Sequence, residues 1–347
     1  MVELFMQYGL FLAETITFVI AFVVILAAIA GFSSKNKKSE TGQIETKNLN
    51  VEYDSIKESV QLEVLSKPQL KTIEKKRKAD DKQKAKAEKD SDERRKRSFV
   101  LHFDGDIKAS AVETLRREIS AVLSIAEQQD EVILVLESSG GMVHAYGLAA
   151  SQLDRIRKRN INLTICIDKV AASGGYMMAV LGSKILAAPF AVIGSIGVVA
   201  QLPNFHRLLQ KNDIDIELLT AGEYKRTLTM LGENTDKGRD KFVEELEDTH
   251  QLFKEFVSDN RPQLDISAVA TGEVWYGKQA IGNQLIDELI TSDEYIMTSC
   301  ETADVYEVKY TQKKSIADKL GLSVQHVIDR ALSAWQSYSV KDRFSHK

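Results

Sequence analysis

Two short apolar runs, each closed by a turn with paired glycines, constrain this chain more than any other feature. Residues 132–136 (VILVL) and Asn162–Ile167 (NLTICI) have strand length and little polar alternation. That is the pattern of parallel strands buried on both faces. Residues 99–103 (FVLHF) predict a strand ahead of them, and Val112, Leu115, Ile119, Val122 and Ala126 then recur at steps of three and four, one face of a helix. A helix over 146–158 separates the two apolar runs. Further strands are predicted at Lys184–Ala187, 198–201 and 214–219, and Phe242, Leu246 and Phe253 mark an amphipathic surface helix over 237–256. Strands alternating with helices require right-handed crossovers on a mostly parallel sheet. The expected fold class is therefore α/β, with its domain over 99–312.

The regions outside that domain obey different physics. Residues 15–34 carry no charge for 20 residues, which at 1.5 Å per residue spans about 30 Å, the hydrocarbon thickness of a bilayer. Ala28-Ile29-Ala30 resembles a signal-cleavage site, yet the leader has Glu3 and no Lys or Arg, whereas a secretory leader begins positively charged. A retained transmembrane anchor over 10–34 is the expectation, with the lipid bilayer as its partner. Residues 35–98 read as a charged linker. Within it, 71–97 holds 13 Lys/Arg against 7 Asp/Glu and neither Gly nor Pro, a solvated helix or disordered stalk, with anionic lipid as the alternative partner for its excess of positive charge. Residues 313–347 form a C-terminal tail with one helix predicted at 324–338. The whole chain of 347 residues has a net charge of −4 and two cysteines. No basic excess points to nucleic acid, and two thiols cannot build a disulfide scaffold or a four-thiolate zinc site. Cys166, mid-strand, reads as an inert buried thiol.

The chemistry gathers at the strand ends. Glu137-Ser138-Ser139-Gly140-Gly141 follows the first apolar run, and Ala171-Ala172-Ser173-Gly174-Gly175-Tyr176 follows the second. Ligands of open parallel sheets bind at the carboxyl ends of strands, where both turns lie. Ser173 falls at a strand-to-helix turn between small residues, which leaves its hydroxyl accessible, as in a nucleophile elbow without the G-x-S-x-G pattern. The N–H groups of Gly174 and Gly141 could together form an oxyanion hole. A serine needs a base. His144 is the one histidine near a glycine turn, but Lys225, in Gly222-Glu223-Tyr224-Lys225, is the stronger candidate. A lysine amine acts as a base only when uncharged, a state that burial among apolar side chains favours. Spacing alone does not separate Lys225 from an ordinary surface lysine.

Ala-Ser-Gly-Gly-Tyr at 172–176, Gly-Ser-Ile-Gly-Val at 194–198, Gly-Glu-Tyr-Lys at 222–225, the Gly-Gly turn at 140–141 and Gly-Glu-Val-Trp-Tyr-Gly-Lys-Gln-Ala at 272–280 occur in that set of motifs together. In this they resemble the signal peptide peptidase A family of membrane-associated serine peptidases, and the single anchor and charged spacer resemble its SohB branch. The resemblance covers about 99–290. It implies a ClpP/crotonase-like fold, Ser173 as nucleophile, Lys225 as general base, Gly141 and Gly174 as oxyanion donors, and no metal or organic cofactor. It further implies peptide or protein substrates and a homo-oligomer, ring or dome, in which the dyad can span subunits. Gly140, Tyr176 and Ser195 are expected along the substrate groove, although Gly194–Gly197 reads first as a tight backbone turn. Trp275 and Tyr276 read as core or subunit packing.

Two arguments about location collide. Lys35, Lys37 and Lys38 after the anchor favour a cytoplasmic domain by the positive-inside rule. The resemblance implies the periplasmic side of a bacterial inner membrane. Two rival functions share the fold: a crotonase-like acyl-CoA enzyme, which needs neither the exposed serine nor the distant lysine, and a membrane scaffold without turnover, which would show damage to the dyad or the glycine turns.

Overall fold

A computed structural model describes residues 2–34, 42–90 and 94–311. Residues Ile44–Tyr310 form one compact unit, and the N-terminal helix belongs to another. That helix, α1 (Val2–Ser34), is continuous and begins before the anchor expected over 10–34. Its segment Met6–Val23 carries one charge, Glu14, and is exposed throughout, long and apolar enough to cross a membrane.

The compact unit opens with β1 (Gln43–Asn48), α2 (Leu49–Val64) and α3 (Lys67–Asp90). The α/β alternation follows as β2 (Arg97–Gly105), α4 (Val112–Leu123), β3 (Glu131–Ser138), α5 (Val143–Arg157) and β4 (Asn162–Ile167). Next come β5 (Val170–Ala172), α6 (Gly174–Ala179), β6 (Lys184–Ala187), β7 (Val192–Gly194), α7 (His206–Lys211) and α8 (Asp236–Asn260). The unit closes with α9 (Ile266–Val269), β8 (Val274–Tyr276), α10 (Gly277–Ala280), β9 (Glu288–Leu289), α11 (Ser292–Thr302) and β10 (Asp304–Thr311).

The main sheet runs β1-β10-β2-β3-β4-β6-β9, and β5 branches from the end of β3 to carry β7 and then β8. Pairings from β10 through β9, and along β3-β5-β7, are parallel; β8 runs antiparallel to β7. Alternation along each strand divides the core into two faces, because successive side chains point to opposite sides. Phe99, Leu101, Phe103, Val132, Leu134, Leu136, Leu163 and Ile165 join the larger cluster, with α4, α5, α6 and α8 contributing to it. Val100, Ile133, Cys166 and Leu186 point to the smaller one, where Ile296 of α11 and Leu49 of α2 meet them. Cys166 is buried, and that burial pushes its thiol pKa up, so it stays an unreactive core group.

Two expectations change. The linker does not run unbroken to residue 98: β1 joins the sheet edge, and Asn50 at the start of α2 donates to Cys300 O and Ala303 O while accepting from Val305 N. Leu49 completes the smaller core, so burial of that side chain offsets the cost of ordering the segment. The strands predicted at 198–201 and 214–219 do not form. Val199 is 91% and Leu219 89% exposed, and among the described residues no neighbouring strand pairs with them. The tail helix predicted at 324–338 lies outside the described residues.

Candidate active site

Three parallel strands deliver their carboxyl ends to one place. Ser138 pairs with Ala171, and Ala172 pairs with Gly194, so the turns after β3, β5 and β7 lie side by side. Ser173 extends the ladder by one bond, its N–H donating to Gly194 O at 2.8 Å. Immediately after that bond the chain must reverse into α6. It does so by placing Ser173 at φ 51° and ψ −120°, a region that L residues rarely occupy and that costs about 1–3 kcal/mol. The side chain is half-buried and makes no hydrogen bond among the described residues. Ser195, at the next strand end, repeats the device with φ 51°. Its N–H donates to Glu273 O at 2.6 Å, as expected of a tight turn.

The glycines are required by close approach. Gly140, at φ 87°, lies against the Ser173 turn: a Cβ there would sit 2.7 Å from both Gly174 N and Ser173 Cβ. On Gly174 a Cβ would come within 2.4 Å of Tyr146 Cγ. Neither the Gly141 N–H nor the Gly174 N–H has an acceptor among the described residues. Two unpartnered backbone donors beside a strained serine are what a developing oxyanion needs.

Behind the turns lies a polar chain that the sequence reading did not single out. The Gly140 N–H donates to Ser138 Oγ at 3.1 Å, Ser138 Oγ and Tyr146 Oη are 2.5 Å apart, and Tyr146 donates to Asp106 O at 2.8 Å. Burial raises the Tyr146 pKa, against the opposing hydrogen bond from Ser138, and keeps the phenol a donor. The only signal available in the sequence was position: Ser138 ends the strand and Tyr146 stands one helical turn beyond Met142.

The groove expectations divide. Gly140 is buried and backs the Ser173 turn, while Ser195 is half-buried at the adjacent strand end. Tyr176 does not line a groove: it is fully buried, and its hydroxyl donates to Leu285 O at 2.9 Å, because its position on α6 faces the larger core. Trp275 packs beneath Gly194, and Tyr276 is half-exposed against Phe190. His144 is exposed in the first turn of α5. Lys225 sits on an exposed turn, its N–H donating to Gly222 O at 3.2 Å, with no hydrogen bond between its amine and Ser173 in the single chain. The segment around it leaves Leu208, Ile214, Ile216, Leu218 and Leu219 exposed.

Comparison with known proteins decides the family. The profile "Peptidase family S49 N-terminal" matches residues 3–153 and "Peptidase family S49" matches 155–306. The chain belongs to peptidase family S49. The S49 fold is ClpP-like, in agreement with the parallel sheet and flanking helices. Among S49 relatives, the chain is 48% identical to the "Probable protease SohB" of Haemophilus influenzae, over 96% of each chain. It is 45% identical to the protein of that name from Buchnera aphidicola subsp. Acyrthosiphon pisum, over 95% of this chain and 97% of the relative. A more distant likeness, 26% identity over 48% of this chain and 27% of the relative, is to "Protease 4" of Haemophilus influenzae. The S49 boundary at 153–155 separates the Gly140-Gly141 turn from the Ser173 turn, so the candidate site draws on both matched regions.

Proposed function

We propose that the chain is a membrane-anchored serine endopeptidase that hydrolyses peptide bonds through an acyl-enzyme, with a Ser173–Lys225 dyad. One observation carries the reading: in an S49 peptidase, Ser173 stands half-buried in a strained strand-to-helix turn beside two backbone N–H groups without acceptors. In the proposed cycle uncharged Lys225 takes the Ser173 proton and Ser173 Oγ attacks the peptide carbonyl. The oxyanion forms against the Gly141 and Gly174 N–H groups. Lys225 returns the proton to the leaving amine, the C–N bond breaks, and water hydrolyses the ester by the reverse sequence. Substrates are signal-peptide remnants or unfolded, membrane-derived polypeptides, by likeness to the signal peptide peptidase A family.

The exposure of Lys225 in a single chain gives the proposal a further part. The apolar side chains flanking it need a cover, and a second copy in a ring or dome would supply one while desolvating the amine. The anchor lies in the bacterial inner membrane, with the peptidase unit periplasmic; cleavage of that unit by protease added to spheroplasts tests the side, and full protection there would assign it to the cytoplasm. The test of the dyad is steady-state peptide hydrolysis by purified Ser173→Ala and Lys225→Ala. Each should lose roughly 10⁴-fold or more in kcat with assembly unchanged. Hydrolysis persisting near the parent rate in either variant contradicts the assignment.

A further inference from the structure

We propose that Tyr146, acting through Ser138, is the positioning residue that fixes the oxyanion donors. The inference rests on the serine-peptidase reading of the site and deepens it. Tyr146 donates its single proton to Asp106 O at 2.8 Å, and Ser138 Oγ donates its own to Tyr146 at 2.5 Å in preference to the longer contact with Gly105 O at 3.4 Å. Ser138 in turn accepts from the Gly140 N–H at 3.1 Å. The result is a chain Gly140 N–H to Ser138 to Tyr146 to Asp106 O, in which each bond polarises the next. One residue further on, Met142 N–H donates to Ile107 O at 2.9 Å. Gly141 is therefore clamped on both sides to the loop after β2, and a Cβ on it would lie 2.1 Å from Ile107 O. Its own N–H is left without an acceptor among the described residues.

The same tyrosine controls the second donor. Its ring lies against Gly174, and it is fully buried. One side chain thus sets the hydrogen-bonded turn that carries Gly141 and the packing surface that carries Gly174. An oxyanion hole loses its effect when a donor drifts by a few tenths of an ångström from the position the oxyanion will occupy. A residue holding both loops acts on kcat while leaving ground-state binding alone.

The test uses the full-length protein. Tyr146→Phe keeps the ring against Gly174 and removes the hydroxyl; Ser138→Ala breaks the chain one link earlier. Each should lower kcat about 10- to 30-fold, less than the loss of a donor outright, with KM unchanged and the thermal midpoint lowered by only a few degrees, as for a single buried hydrogen bond lost. A peptide aldehyde, whose adduct places an oxyanion in the hole, should bind about 10-fold more weakly to both variants, while the matching peptide alcohol binds as to the parent. The double variant should lose no more than the single ones, as expected of residues in one network. Normal kcat, or equal weakening of aldehyde and alcohol, overturns the Tyr146 role. Ser173→Ala run alongside separates the two claims: hydrolysis lost there but normal in Tyr146→Phe sinks the positioning role alone, and hydrolysis surviving Ser173→Ala sinks both.

Discussion

At the residue scale, strain and close approach make the site testable by stability as well as by activity. Ser173 holds φ 51°, so replacing it by glycine removes a backbone penalty that alanine keeps. Ser173→Gly should raise thermal stability by about 1 kcal/mol, Ser173→Ala should change it little, and both should be inactive. Denaturant melts of the two variants check this, and equal stabilities would mean that the turn is not strained. Gly174→Ala should act in the opposite sense. Its Cβ would meet the Tyr146 ring at 2.4 Å, and neither the buried ring nor the backbone can retreat. A loss of about 2–3 kcal/mol is expected, in the range of overpacked cores. The glycine turns were legible in the sequence because pairs of glycine after buried strands announce a close backbone approach. Tyr176 was misread for a related reason: a tyrosine beside a glycine turn looks accessible, and only the direction of α6 shows that its ring faces the core.

At the scale of elements, the start of β3 is pinned by a carboxylate pair. Asp130 accepts from the side chains of Arg94 and Arg97 and from the backbone N–H groups of Arg97 and Glu127. Burial pulls its pKa up, but the hydrogen bonds from Arg97 and the backbone and the Arg97 charge outweigh that and hold it below the usual carboxylate range. Glu131 follows the same balance, with Thr164, Tyr295 and Lys96 as donors opposing burial. A depressed folded pKa contributes stability that is fully present above the unfolded value and is lost as pH falls through the folded one. Unfolding free energy should therefore decline below about pH 4, near the ordinary carboxylate pKa. Asp130→Asn should flatten part of that decline and cost about 3 kcal/mol at neutral pH, because Arg97 is left half-satisfied. An unchanged pH slope in denaturant melts would contradict the pairing. From residue 97 onward, β2, β3, β4 and β6 and the helices α4, α5 and α8 were legible from apolar runs and periodicity, whereas β5, β7 to β10 and the helices α7 and α9 to α11 were not. The docking of α2 was not, although Leu49, Tyr53, Ile56 and Val60 recur at helical steps, because the charge density of the following segment dominates any reading of the region.

Across the whole molecule, what matters is the surface the single chain leaves unfinished. The apolar residues that suggested strands at 198–201 and 214–219 are present, but none of the described residues covers Val199 or Leu219. Sequence periodicity reports that a side chain favours burial without naming what buries it, so Lys225 was legible as a candidate while its surroundings were not. If a second copy covers this segment, Val199→Ser with Leu219→Ser should shift the detergent-solubilised protein toward monomer and lower activity at least about 10-fold, while the peptidase unit keeps its circular dichroism and melting point. Light scattering coupled to chromatography reads the first effect. A fully active monomer would show that the site is complete within one chain.

The central claim is that one hydroxyl among many is the nucleophile. Reaction of the full-length protein with a serine-directed phosphonate, followed by mass spectrometry of its peptides, measures that directly. A single adduct on Ser173 is expected, formed at a rate that falls steeply in Lys225→Ala and in parallel with loss of hydrolysis. An adduct on another residue, or hydrolysis that continues in protein shown to be unmodified at Ser173 under saturating reagent, would contradict it.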